Sequence, residues 1–144
     1  MKTFTLDEAN ALLPTLERLL RSALESRDKL QQAKKSAQEL IHRVFLSGGM
    51  LLKISDLMLQ RAERDSLLQR LKDTVAEIDA IGVQVKDLDI GLLDFPCKVD
   101  GEIVLLCWKL GEPRITHWHG LEEGFKGRKP IDDRIAGKEP ELPN

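Results

Sequence analysis

Residues 107–120 read CWKLGEPRITHWHG, a stretch that holds a cysteine, both tryptophans of the chain, two of its three histidines and a glutamate. On an extended strand His117 and His119 point to one face, with Cβ atoms roughly 6–7 Å apart. Two imidazoles at that spacing can share one metal ion. A first-row divalent ion then needs a third protein ligand, commonly a carboxylate or a thiolate. Glu112 lies across the adjacent turn, and Asp94, Cys107 and Glu122 are further candidates. The cofactor implied is a divalent transition metal. About 20 Å separates Glu112 from His119 along a straight strand. His119 therefore meets Glu112 only if the strand bends at Pro113, and otherwise meets Asp94 or Cys107 from neighbouring strands. The competing reading is structural, with His119 hydrogen-bonded inside a mixed core and His117 half exposed.

Other residues carry weaker signals. Cys107 shares its strand side with Ile103 and Leu105, which favours a small buried hydrophobe over a nucleophile, because reactive thiols need an accessible, electropositive setting. Trp108 and Trp118 fall on adjacent strands and serve as bulk; a base-stacking platform would want more flanking cations than Lys109 and Arg114. In the loop Gly124-Phe125-Lys126-Gly127-Arg128-Lys129-Pro130, backbone amides with Arg128 and Lys129 could hold a phosphate or carboxylate. The loop lacks the Walker spacing and the following helix, so it is no nucleotide P-loop. The alternative is a salt bridge from Arg128 to Asp87, Asp94 or Glu112 that pins it. Asp87, Asp89 and Asp94 read as turn formers, and no catalytic role is assigned to them.

These residues must be positioned by their surroundings. Residues 5–46 read as a helix opened by the capping box Thr5-Leu6-Asp7-Glu8. Leu6, Ala9, Leu13, Leu16, Leu20, Ala23, Leu30, Ala37, Ile41 and Val44 follow a 3,4 spacing, interrupted by Arg27 and Lys34. Pro14 predicts a kink or restart. After Ser47-Gly48-Gly49 a second run, Ile54, Leu57, Leu68, Leu71, Val75 and Ile78, ends at Gly82. The expectation is α+β: a long antiparallel helical hairpin, coiled-coil-like, over 1–82, then a small antiparallel β-meander over 83–131 packed on it. A loosely ordered tail follows at 132–144, and the whole forms one structural domain. Strand candidates are 83–88, 91–98, 102–110 and 114–119, with Asp100-Gly101 as a type I′ hairpin turn.

Length and composition bound the function. At 144 residues the chain fits about one domain. The net charge is −2; residues 1–82 carry +1 and residues 83–144 carry −3. No polybasic arm is present, so neither nucleic acid nor an anionic membrane is an expected partner. No signal peptide or membrane span is visible, which predicts a cytoplasmic protein. Cys97 and Cys107 are then expected as reduced thiols.

The segments FTLDEANALLP, GVQVKDLDIGLLDFP, LCWKLGE and WHGLEEGFKGRKPI together resemble a bacterial family known as domain of unknown function 2203. The resemblance implies a small bacterial cytoplasmic protein with no established activity. Its pattern includes Lys86, Asp87, Gly91, Asp94, Phe95, Cys107, Trp108, Gly111, Glu112, Trp118, His119, Gly124, Arg128 and Pro130. His117 and Gly120 depart from it, so the pattern does not supply a site built on His117. Two functions are expected from different classes. One is an interaction or scaffold module that forms a homodimer or higher homo-oligomer through its long arms. The other is a small metal- or anion-binding protein, or an enzyme, with its site on the meander around His119.

Overall fold

The computed structural model describes residues 2–48 and 54–135. Helix α1 spans Leu6–Leu46 and begins at the expected capping box. The Thr5 amide donates to Glu8 Oε1 and the Glu8 amide donates to Thr5 Oγ1, each at 3.1 Å. Pro14 sits inside the helix, which does not restart there. Helix α2 spans Ile54–Ile81. It stops at Gly82, whose φ of +102° is accessible to a residue without a Cβ. No helix among the described residues is long and apolar enough to cross a membrane.

The chain divides into two compact units, Met1–Leu20 with Val75–Asn144, and Arg21–Thr74. We call them the sheet unit and the arm. In the sheet unit five strands form an antiparallel meander in sequence order: β1 Gln84–Asp87, β2 Leu92–Val99, β3 Glu102–Lys109, β4 His117–His119 and β5 Lys129–Pro130. The β2–β3 turn has positive φ at both central residues, Asp100 at 52° and Gly101 at 82°, as a type I′ hairpin requires. β5 was not expected. Its two residues carry no alternation to betray a strand, and pairing with His117 and Trp118 alone defines it.

Register settles which residues share a face. Asp94 pairs with Cys107, and Cys107 pairs with His117; Leu105 pairs with His119. These residues therefore lie on one face of the sheet. The alternate residues Leu93, Phe95, Cys97, Leu106 and Trp108 enter a core with Leu13, Leu16 and Leu20 of α1 and Ile78 of α2. Phe4 joins this core and meets the Phe95 ring edge-to-face at 5.9 Å. Two long-range bonds tie the chain start to the sheet: the Phe4 amide to the Pro96 carbonyl at 2.7 Å, and the Ile115 amide to Asn10 Oδ1 at 2.8 Å. Within the segment read as a tail, Ile135 is buried in the same core, and residues 136–144 lie outside the described residues.

Among the described residues the arm consists of parts of α1 and α2 and the turn at Ser47 and Gly48. Ala23 is fully buried and Leu30 and Ala37 are half-buried along the expected seam. Ile41 departs from it, at 61% exposure, while Leu40 and Val44 are half-buried. Leu57 and Leu68 are also exposed. Two helices offer each other one narrow stripe, so a position about 40–60° off its centre stays wet.

Candidate functional site

β2, β3 and β4 each deliver to the same place one side chain of a type able to ligate a metal. Asp94, Cys107 and His119 are all buried, at 1%, 0% and 3% exposure. Their possible ligand atoms all lie within 4.8 Å of one another. The strand pairing explains this convergence: Asp94 and Cys107 are cross-strand partners, and His119 sits two residues along from the partner of Cys107 on the next strand.

Hydrogen bonds orient the imidazole. His119 Nδ1 is 2.8 Å from the Gly120 carbonyl oxygen, and Nε2 is 3.0 Å from Asp94 Oδ1. A carbonyl oxygen only accepts, so Nδ1 carries a hydrogen. A neutral ring then has its lone pair on Nε2, facing an oxygen of Asp94 that, when ionised, also only accepts. Something positive must lie between them, a proton or a metal ion. The Cys107 thiol is pushed up to about 11, first by burial and then by the nearby Asp94 charge, with Arg128 opposing both. In this setting the thiol stays protonated at neutral pH and is a poor nucleophile.

The remaining candidates take other roles. Glu112 Oε1 accepts from the Lys109 amide at 2.7 Å, and both its oxygens accept from Arg128, at 2.8 and 3.1 Å. Of the three acids that could pin the loop, Glu112 is the one that grips Arg128. Arg128 also approaches the Cys107 carbonyl at 3.5 Å. Lys129 pairs with Glu123 at 2.8 Å and lies over the Trp118 ring at 4.7 Å. His117 shares the face of His119, but its Nδ1 is 2.8 Å from the Thr116 hydroxyl. The structure thus brings Asp94, Cys107 and His119 together. It leaves Glu112 and His117 outside that group, and gives Arg128 and Lys129 carboxylate partners from their own chain.

Two participants escaped the sequence. Gly120 supplies the carbonyl that fixes the imidazole. Glu123 accepts from Lys129 at 2.8 Å and from the Gly120 amide at 3.1 Å, and these contacts, Lys129 foremost, hold its carboxyl below the usual range. The Gly120-x-x-Glu123 spacing of a side-chain-closed turn was the available signal.

The model of one family, described as an uncharacterized conserved protein (DUF2203), matches residues 2–131. The chain belongs to that family. The DUF2203 match spans both helices, all five strands and every residue of the Asp94, Cys107 and His119 group. No curated protein and no solved structure matches the chain.

Proposed function

We propose that this protein binds a divalent transition metal through Asp94, Cys107 and His119. The observation that supports the reading is the burial of a carboxylate, a thiol and an imidazole whose ligand atoms fall within 4.8 Å of one another. In a tetrahedral zinc site with bonds of about 2.1 Å, neighbouring ligand atoms stand about 3.4 Å apart. The group needs only small adjustments to reach that geometry. Its charges also suit: an ionised Asp94 and Cys107 neutralise a divalent ion, so the filled site buries no net charge. The Gly120 carbonyl plays the part of the outer partner that holds a metal-bound imidazole in its tautomer. Nitrogen, sulfur and oxygen together favour zinc or cobalt over magnesium or calcium.

Protein purified without added metal should carry zinc by elemental analysis. Cobalt(II) should give a thiolate-to-metal absorption band that Cys107→Ser abolishes. Trace metal only, together with no thermal shift when zinc or cobalt is added, would leave the group as a hydrogen-bonded core cluster.

A second reading, an interaction module that self-associates through the arm, is favoured by separate side chains. Ile41, Phe45, Leu46, Met58 and Leu59 are between 61% and 80% exposed. They present several hundred Å² of apolar surface, on the order of the largest patch a monomer keeps. Sedimentation equilibrium tests it, and a monomer at every concentration up to about 100 μM would dismiss it.

A further inference from the structure

The arm carries charge where a helical hairpin normally carries apolar side chains. The 3,4 seam of α1 passes through Ala23, Arg27, Leu30, Lys34 and Ala37. That of α2 passes through Leu57, Arg61, Arg64, Leu68 and Leu71. Such positions lie toward the other helix, and a cation there costs stability. The two helices bring their four seam cations to one groove of about 480 Å³. To its lining α1 contributes Arg27, Leu30, Gln31 and Lys34, and α2 contributes Arg61, Arg64, Asp65 and Leu68.

Charge in this groove is not balanced from within. Arg27 has Asp28 at 3.7 Å and is left out of the count. Lys34, Arg61 and Arg64 then stand against Asp65, three cations and one carboxylate, for a surplus of +2. Among the described residues none of these three cations forms an ion pair, not even with Asp65. All three are exposed, so a solute reaches them directly from solvent.

We infer that the groove binds a small organic phosphate, with its phosphoryl group on Lys34, Arg61 and Arg64 and an apolar body on Leu30 and Leu68. Charge selects the class first. A phosphate monoester carries close to two negative charges at neutral pH and matches the surplus, whereas a lone carboxylate brings one. Geometry agrees, since Arg61 and Arg64 are neighbours on one helix face and a guanidinium engages phosphate oxygens in pairs. Leu30 and Leu68 give inorganic phosphate nothing to bury, but they cover a ring or a short alkyl group. The volume falls within the roughly 300–1,000 Å³ of small-molecule sites. Every lining residue belongs to the arm, so the inference stands apart from the metal group and from self-association.

Isothermal titration calorimetry tests this with 1-naphthyl phosphate as the probe, beside inorganic phosphate and 1-naphthoate. The titrations are run at about pH 8, where the monoester is a dianion, and in about 0.05 M sodium chloride to limit screening. Circular dichroism first establishes that each variant keeps the helical content of the parent. The parent should bind one naphthyl phosphate per chain, about tenfold or more tightly than either comparison anion. Arg61→Gln with Arg64→Gln should weaken that binding by about tenfold or more, because charge-assisted bonds are lost. Leu68→Ser should weaken it by about fivefold and leave inorganic phosphate unmoved. Lys35→Gln, at an exposed cation outside the groove, should change nothing. No saturable binding at probe concentrations up to about 1 mM would overturn the site. Inorganic phosphate bound as tightly as the probe would overturn the apolar half, and naphthoate bound as tightly would overturn the phosphate class. Equal losses from Lys35→Gln and from the arginine pair would overturn the groove as the place of binding.

Discussion

The sheet unit and the arm use the same two helices and reach opposite outcomes. Where α1 lies against the sheet, Ala9, Leu16 and Leu20 are fully buried, and Phe95, Leu93 and Leu106 meet them from β2 and β3. Farther along the same helix Ile41 and Phe45 are 61% and 80% exposed. A sheet offers a helix a broad floor that covers a wide apolar stripe, whereas a second helix covers one seam. The units also differ in how they treat polarity. The sheet unit buries Asp94 and His119 and pairs them, whereas the buried polar residues described in the arm are the neutral Ser26 and Thr74. The lesson is that helical periodicity locates an apolar stripe but not the width of whatever will cover it.

The sharpest test of this contrast is the same substitution at two seam positions. Leu16→Asp should cost at least about 4 kcal/mol, since it places an unpaired carboxylate in the sheet-unit core and removes a large side chain. Ile41→Asp should cost no more than about 0.5 kcal/mol, the range for exposed sites. Denaturant midpoints compare them, and similar losses would mean the arm is as well covered as the sheet unit.

Next in size is the buried polar pair. Asp94→Asn should destabilise by about 2–3 kcal/mol, because the charge-assisted contact of the buried Asp94 carboxylate with His119 gives way to a neutral amide hydrogen bond. In the metal-loaded protein a chelator should lower the melting temperature of the parent and leave that of Asp94→Asn unmoved. Equal chelator sensitivity in both would separate the metal from Asp94.

A smaller effect follows from the raised Cys107 thiol. Its folded value of about 11 lies above its ordinary 9.0. Folding therefore favours the protonated form, and this contribution is complete below pH 9 and lost as pH rises through 11. The metal-free protein should lose on the order of 2 kcal/mol over that window. Cys107→Val should flatten the slope relative to the parent in paired pH titrations of stability. The smallest change is Gly101→Val, at about 1 kcal/mol. Nothing lies within 4 Å of the added Cβ, so the cost comes from the positive φ alone.

Much of the sheet unit was legible in the sequence, and for definite reasons. Thr5 and Glu8 announce the start of α1, Gly82 ends α2, and Asp100-Gly101 fixes the hairpin that puts Asp94 opposite Cys107. Once that register is set, alternation places His119 on the same face. The choice among acids was not legible. Glu112 lies just across the turn that precedes β4, but its backbone turn directs it to the Lys109 amide and to Arg128, a matter of side-chain direction that spacing does not encode. Ile135 was hidden for another reason. A lone isoleucine among Asp, Arg and Gly carries no period, and only the completed core reveals its place.

The sheet unit is discontinuous in sequence: residues 1–20 combine with 75–144, and the arm interrupts them. During synthesis the first twenty residues emerge long before their partners. The amide of Ile115 reaches Asn10 across 105 residues of chain, so that bond must wait until most of the protein has left the ribosome. The arm can pair as soon as α2 is made, bringing Leu20 and Val75 near each other before the sheet exists. Closing that excursion costs entropy that grows only logarithmically with its length. Whole turns could thus be added to or removed from α1 and α2 in matched amounts without touching the sheet. Arm length is in this sense a free dimension of the fold, and relatives can be expected to vary there while keeping Asp94, Cys107 and His119 in place.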